Sequence, residues 1–132
     1  MKINKRIYYH DTDSGGVVYY ANYLNYLEEG RTEYLREKGL DLKKLDEEGI
    51  SFVVRDVSIS YKAPAHYGDV LEIVTEIEKI KNASLVFLQE VRRADKLLVS
   101  AKVILVCINT SFAPVAIPEK VRVCIDKNQS IV

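Results

Sequence analysis

The chain has 132 residues, enough for one domain of ordinary size and too few for two. Its 19 basic residues are balanced by 19 acidic ones, which excludes the surplus of clustered Lys and Arg that a nucleic-acid binder needs. A chain of this size buries roughly two thirds of its unfolded surface, so neither a disulfide nor a metal is required to hold it together.

In chain order, residues 1–6 lack the apolar stretch of a signal peptide. A first strand reads Ile3–Tyr9, and a polar, glycine-containing loop follows over 10–16. A helix is expected from about Tyr20 to Lys38, where Tyr20, Tyr23, Leu24, Leu27, Tyr34 and Leu35 form one apolar stripe at helical spacing. On that helix Glu28 lies where it could line a pocket, and an intrahelical pair with Arg31 is the plainer role. Gly39 supplies the stop, and Asp41–Glu48 reads as a short second helix ended by Gly49. The pattern then turns to period two. Val57, Ile59 and Tyr61 alternate with polar residues, as do Leu71, Ile73 and Ile77 after a turn over 63–69. Two further strands, Ser84–Arg92 and Leu97–Asn109, are joined by the tight turn Arg93-Ala94-Asp95-Lys96. Val103–Ile108 is apolar on both faces, hence buried on both, and far too short to span a bilayer. Pro118 opens a final short helical turn. Cys107 and Cys124, each beside valine and isoleucine, read as small buried thiols in apolar strands. The expectation is a soluble, cytoplasmic, α+β chain forming one domain over 1–132, without membrane insertion, nucleic acid or metal. About five antiparallel strands curve around one long helix, and apolar residues left on the sheet's outer face or edge call for a partner subunit.

Chemistry concentrates between strand and helix. The segment Tyr8–Tyr26 holds six of the nine tyrosines, the tandem Gly15-Gly16, and His10, Asp11 and Asp13. A helix start presents unpaired N–H groups and the positive end of the dipole. Glycines allow close approach of a ligand, and a carboxylate nearby can serve as nucleophile or general base. The same residues also fit plainer roles, since Asp-x-Asp commonly caps helices and forms turns. Asp11-x-Asp13-x-Gly15 opens like a calcium loop but lacks the remaining oxygen ligands.

The run Arg6-Ile7-Tyr8-Tyr9-His10-Asp11-Thr12-Asp13-Ser14-Gly15-Gly16-Val17-Val18-Tyr19-Tyr20-Ala21-Asn22-Tyr23-Leu24 resembles the active-site signature of the 4-hydroxybenzoyl-CoA thioesterase family, and most of all its YbgC-like acyl-CoA thioesterase branch. The resemblance continues through Glu28–Glu33, Phe52–Arg55 and Tyr61–Ala65 to Phe112-Ala113-Pro114 and Ile117-Pro118. It implies a hot-dog fold and a homodimer or homotetramer with active sites at the subunit interface. It also implies hydrolysis of acyl-CoA to free acid and coenzyme A, with no cofactor, coenzyme A being part of the substrate. The family's catalytic aspartate falls on Asp13, and the amide that polarises the thioester carbonyl falls on Tyr20. YbgC-like members usually carry histidine where this chain has Tyr20, so a histidine-assisted step is not expected here. The same resemblance places Tyr9 near the substrate and Lys81 against the nucleotide; Gly16 and Val17 are expected to support the oxyanion through their amides, and Lys62, which ends the adjacent strand, to lie towards the phosphates. A non-catalytic acyl-CoA-binding module is the alternative. A dehydratase ranks below it, because neither His10 nor His66 stands where a histidine–carboxylate pair is needed.

Overall fold

A computed structural model describes residues 1–129, with side chains described through Asp126. Five strands form one antiparallel sheet in the order β1-β3-β4-β5-β2. They are β1 (Lys2–Arg6), β2 (Ser51–Tyr61), β3 (Val70–Ile80), β4 (Ser84–Arg93) and β5 (Lys96–Ile108). The helices are α1 (Asn22–Glu37), α2 (Leu42–Glu47) and α3 (Glu119–Gln129). This is the expected hot-dog arrangement, a sheet wrapped on one long helix.

Alternation decides which face meets α1. Leu71, Ile73, Thr75 and Ile77 of β3 are buried, as are Leu85, Phe87, Gln89 and Val91 of β4. Both faces of Val103–Ile108 are largely buried, as its unbroken apolar run requires. From α1, Tyr23, Tyr26, Leu27, Gly30, Arg31, Tyr34 and Leu35 go inward. Two apolar clusters result. One lies under the β1–α1 loop, built on Ile7, Val18, Tyr26, Leu27 and Ile73. The other lies at the far end of the sheet, where Tyr34 meets Phe87 edge-on at 5.8 Å.

Several expectations need correcting. β1 ends at Arg6 rather than Tyr9, because Ile7 donates its N–H to Asp69 O and the chain then closes a 3-10 turn over Tyr9–Asp11. Tyr20 and Leu24 lie on the apolar stripe yet are 62 % and 44 % exposed. α1 packs chiefly against β3, and on its β2 side Tyr20 meets the exposed ring of Tyr61, which leaves both open to solvent. The Glu28–Arg31 pair does not form. Arg31 turns inward and donates to Gln89 Oε1 at 3.1 Å, while Glu28 stays exposed and accepts from Thr32 Oγ1. The final helical turn extends to a whole helix, because Ile117, Val121 and Ile125 all bury themselves in the second cluster. Cys124 lies half-buried on that helix rather than buried in a strand, and no disulfide joins it to Cys107.

Candidate active site

The loop is a hairpin-like excursion with its two legs tied together. Thr12 pairs with Val18, Asp13 N donates to Val17 O at 2.9 Å, and Gly16 N donates back to Asp13 O at 3.1 Å. Gly16 turns the corner at φ +81, a conformation that a side chain resists. Val18 plugs the returning leg into the core at 4 % exposure and donates its N–H to Ala65 O. Val17 stays half-buried and bridges to His66.

At the tip, the exposed Asp13 carboxylate has one oxygen held. Gly15 N–H donates to Oδ1 at 2.8 Å, and among the described residues nothing donates to Oδ2. One oxygen is oriented by the loop and the other is left for a reacting atom. Nine residues on, α1 starts. Asn22 N donates to Tyr19 O and Tyr23 N to Tyr20 O, whereas nothing among the described residues accepts from the N–H of Tyr20 or Ala21. These amides sit at the positive end of a 16-residue helix.

Beside them opens a cleft of about 300 Å³, lined by Val18, Tyr20, Tyr23, Tyr61, Lys62, Ala63 and Pro64. The Tyr20 ring meets Tyr61 edge-on at 6.1 Å, and Tyr61 donates its hydroxyl to Tyr20 O at 3.3 Å. Tyr23 is buried behind them, and its hydroxyl accepts from Ala65 N; burial pushes its ionisation above the ordinary phenol value.

The protomer thus brings together Tyr20 and Lys62 in one cleft, with Val18 rather than Val17 on its wall. Asp13 lies outside that cleft, on the loop that borders it. Tyr9 is 78 % exposed and meets Tyr67 edge-on at 5.6 Å. Lys81 lies past the opposite end of β3, an 11-residue strand, so roughly 35 Å of sheet separates it from Lys62 in the same protomer. Tyr61 was missed by sequence reasoning as a cleft residue. Its signal was an aromatic side chain closing the alternating strand just before Lys62.

Neither histidine is paired at hydrogen-bond distance. His10 and His66 lie 3.9 Å from Asp11 and Asp69 respectively. Asp69 is instead taken by the His66 N–H and by Arg93, both at 2.8 Å. Partial burial pushes its pKa up, but those two donors outweigh burial and hold it below the ordinary carboxylate value. Its contribution is therefore present above that ordinary value and is lost as pH falls through the depressed one. Asp69→Asn should lower the unfolding free energy by about 1 kcal/mol at neutral pH and by much less in strong acid, measured by denaturant titration at both.

The chain matches the thioesterase-like superfamily model over residues 8–124. It is 42% identical over 118 residues to the acyl-CoA thioester hydrolase YbgC of Escherichia coli O157:H7, covering 88% of each chain. A probable thioesterase from Bartonella henselae superposes with a TM-score of 0.86 at 35% identity, over 89% of this chain and 98% of that one. A 4-hydroxybenzoyl-CoA thioesterase solved with 4-hydroxybenzoyl-CoA shares the fold, with a TM-score of 0.88 at 24% identity over 95% and 97%. The chain belongs to the thioesterase-like superfamily.

Proposed function

We propose that this protein hydrolyses acyl-CoA thioesters, with Asp13 as the reacting carboxylate and the Tyr20 amide as the oxyanion donor. The observation that carries the reading is an Asp13 carboxylate with one oxygen held, on the loop that leads into α1, where the Tyr20 and Ala21 amides have no acceptor among the described residues. Asp13 either attacks the thioester carbon, giving a mixed anhydride that a water then opens to free acid and carboxylate, or activates a water that attacks the carbon directly. The carbonyl oxygen gains charge as it becomes tetrahedral, and an amide aimed at it stabilises that charge more than the ground state. Coenzyme A leaves as its thiolate, a weak base that needs no strong acid to depart. A tyrosine at position 20 therefore suffices, because the backbone supplies the donor.

The working unit in this reading is at least a dimer with sites at the subunit interface. Asp13 stands outside the protomer's own cleft, and β2 is an 11-residue edge strand. Leu24, Val54, Val57 and Tyr61 leave apolar surface uncovered beside it. Lys62, and Lys81 from another protomer, would meet the phosphates of coenzyme A. No disulfide joins Cys107 and Cys124, which suits a reducing cytoplasm.

Thiol release from a panel of aromatic and short-chain acyl-CoAs tests the activity. Saturable binding without release from any of them would make the protein a carrier or sensor instead. Tyr20→Pro, which deletes the N–H, should lower kcat about a hundredfold to a thousandfold, measured against Tyr20→Phe, which keeps it.

A further inference from the structure

The Asp-x-Asp pair gives its second member a chemical role and leaves its first unexplained. Asp11 is the one buried carboxylate among the described residues, at 6 % exposure, in a segment where its neighbours are open to solvent. A buried carboxylate is expensive unless donors meet it. Its Oδ2 accepts from Tyr8 N at 2.8 Å, and its own N–H donates to Tyr8 O at 3.0 Å, closing the turn that follows β1. Its carbonyl does more. It accepts from Tyr19 N at 3.1 Å and from Asn22 Nδ2 at 2.9 Å. One residue thus fastens the chain leaving the sheet, the chain arriving at the helix, and the first residue of α1.

Tyr26 adds an independent observation. It is 2 % exposed, and its hydroxyl is the one buried side-chain polar atom among the described residues without a hydrogen bond of good geometry. Burial, then the facing Asp11 carboxylate, pushes its ionisation far above the ordinary value. A buried, poorly paired hydroxyl is destabilising, and a phenylalanine would fill the same space without it. The hydroxyl faces the Asp11 carboxylate from inside without closing a hydrogen bond of good geometry.

We propose that Asp11 is the positioning residue of the site, locking the segment that carries Asp13 to the helix start that carries the Tyr20 amide. The inference rests on the roles given above to Asp13 and Tyr20. Asp13 lies within the excursion 12–18 and Tyr20 just beyond it, and Asp11 and Asn22 close its base, so slack at the base moves carboxylate and amide relative to each other. A displacement of 1 Å at a reacting centre lowers turnover on the order of a hundredfold.

The test compares Asp11→Asn, Asp11→Ala, Asn22→Ala and Tyr26→Phe with Asp13→Asn, using an acyl-CoA that the unaltered enzyme hydrolyses and reading kcat, KM and melting temperature. Asp11→Ala should lower kcat about a hundredfold with KM nearly constant. Asp11→Asn keeps an oxygen for Tyr8 N–H and an NH2 for the Tyr26 phenol, and should recover most of that loss. Asn22→Ala should lower kcat about tenfold at nearly unchanged KM. Tyr26→Phe should lower kcat several-fold while the melting temperature holds or rises, an opposition that damage to the fold cannot produce. If Asp11→Ala does not fold, the Asn22 and Tyr26 variants decide. Wild-type kcat in both of those, or KM rising in step with every loss, overturns the proposal. Asp11→Asn as inactive as Asp13→Asn also overturns it, by placing Asp11 in the chemistry itself. A fully active Asp13→Asn would instead remove the role given to Asp13.

Discussion

Asp13→Asn should lower kcat by about a thousandfold while leaving the melting temperature and the affinity for coenzyme A close to those of the unaltered protein. The side chain is exposed and its contact is local, with Gly15 N–H donating to Oδ1, a bond that the amide oxygen of asparagine also accepts. The loop keeps its shape, and only the negative charge and nucleophilicity of the free oxygen are lost. A role confined to capping the turn would leave turnover intact, since Asn forms such turns as readily as Asp. Thiol release under saturating substrate, paired with calorimetric titration of coenzyme A, separates these outcomes.

Gly30→Ala should destabilise the protein by about 2 kcal/mol, although alanine is the better helix former by roughly 1 kcal/mol. The helix crosses the sheet at this residue. A Cβ there would lie 2.7 Å from Thr75 Oγ1, 2.8 Å from Ile73 Cγ2 and 3.1 Å from Gln89 Nε2. Gln89 cannot retreat freely. Its Nε2 donates to Leu27 O and to Thr75 Oγ1, and its Oε1 accepts from the buried Arg31. Crowding at one atom therefore strains a network whose failure would orphan a buried guanidinium. Thermal unfolding should show the midpoint roughly 8 °C lower; an unchanged or raised midpoint would mean that α1 can lift off the sheet without penalty.

The element order, the turns and the wrapped helix are legible from periodicity, because β3 alternates, β5 carries a run that is apolar on both faces, and α1 repeats apolar residues at helical spacing. What periodicity misses is instructive. Glycine and arginine count against a buried face on any hydropathy scale, yet Gly30 and Arg31 lie on it, one for closeness to the sheet and the other because Gln89 receives it. Tyr20 and Leu24 sit on the stripe but remain exposed, since burial depends on what the sheet brings against each position and not on helical phase alone. The length of α3 escapes notice because Val121 and Ile125 are spaced among charged residues and find their cover only in the second cluster. At the site, the physical chemistry of the residues reaches as far as a carboxylate beside a helix start. Preferring Asp13 to Asp11 came from the resemblance. The fold accords with that preference through burial: Asp11 is enclosed and tied on three sides, and Asp13 is open with an oxygen to spare.

A crystal structure of Asp13→Asn with an intact acyl-CoA bound tests the central claim most directly. The account predicts a thioester oxygen within about 3 Å of a Tyr20 amide nitrogen, and the carbonyl carbon within about 3.5 Å of a side chain at position 13. A thioester seated away from both groups, with the loop in place, would contradict it.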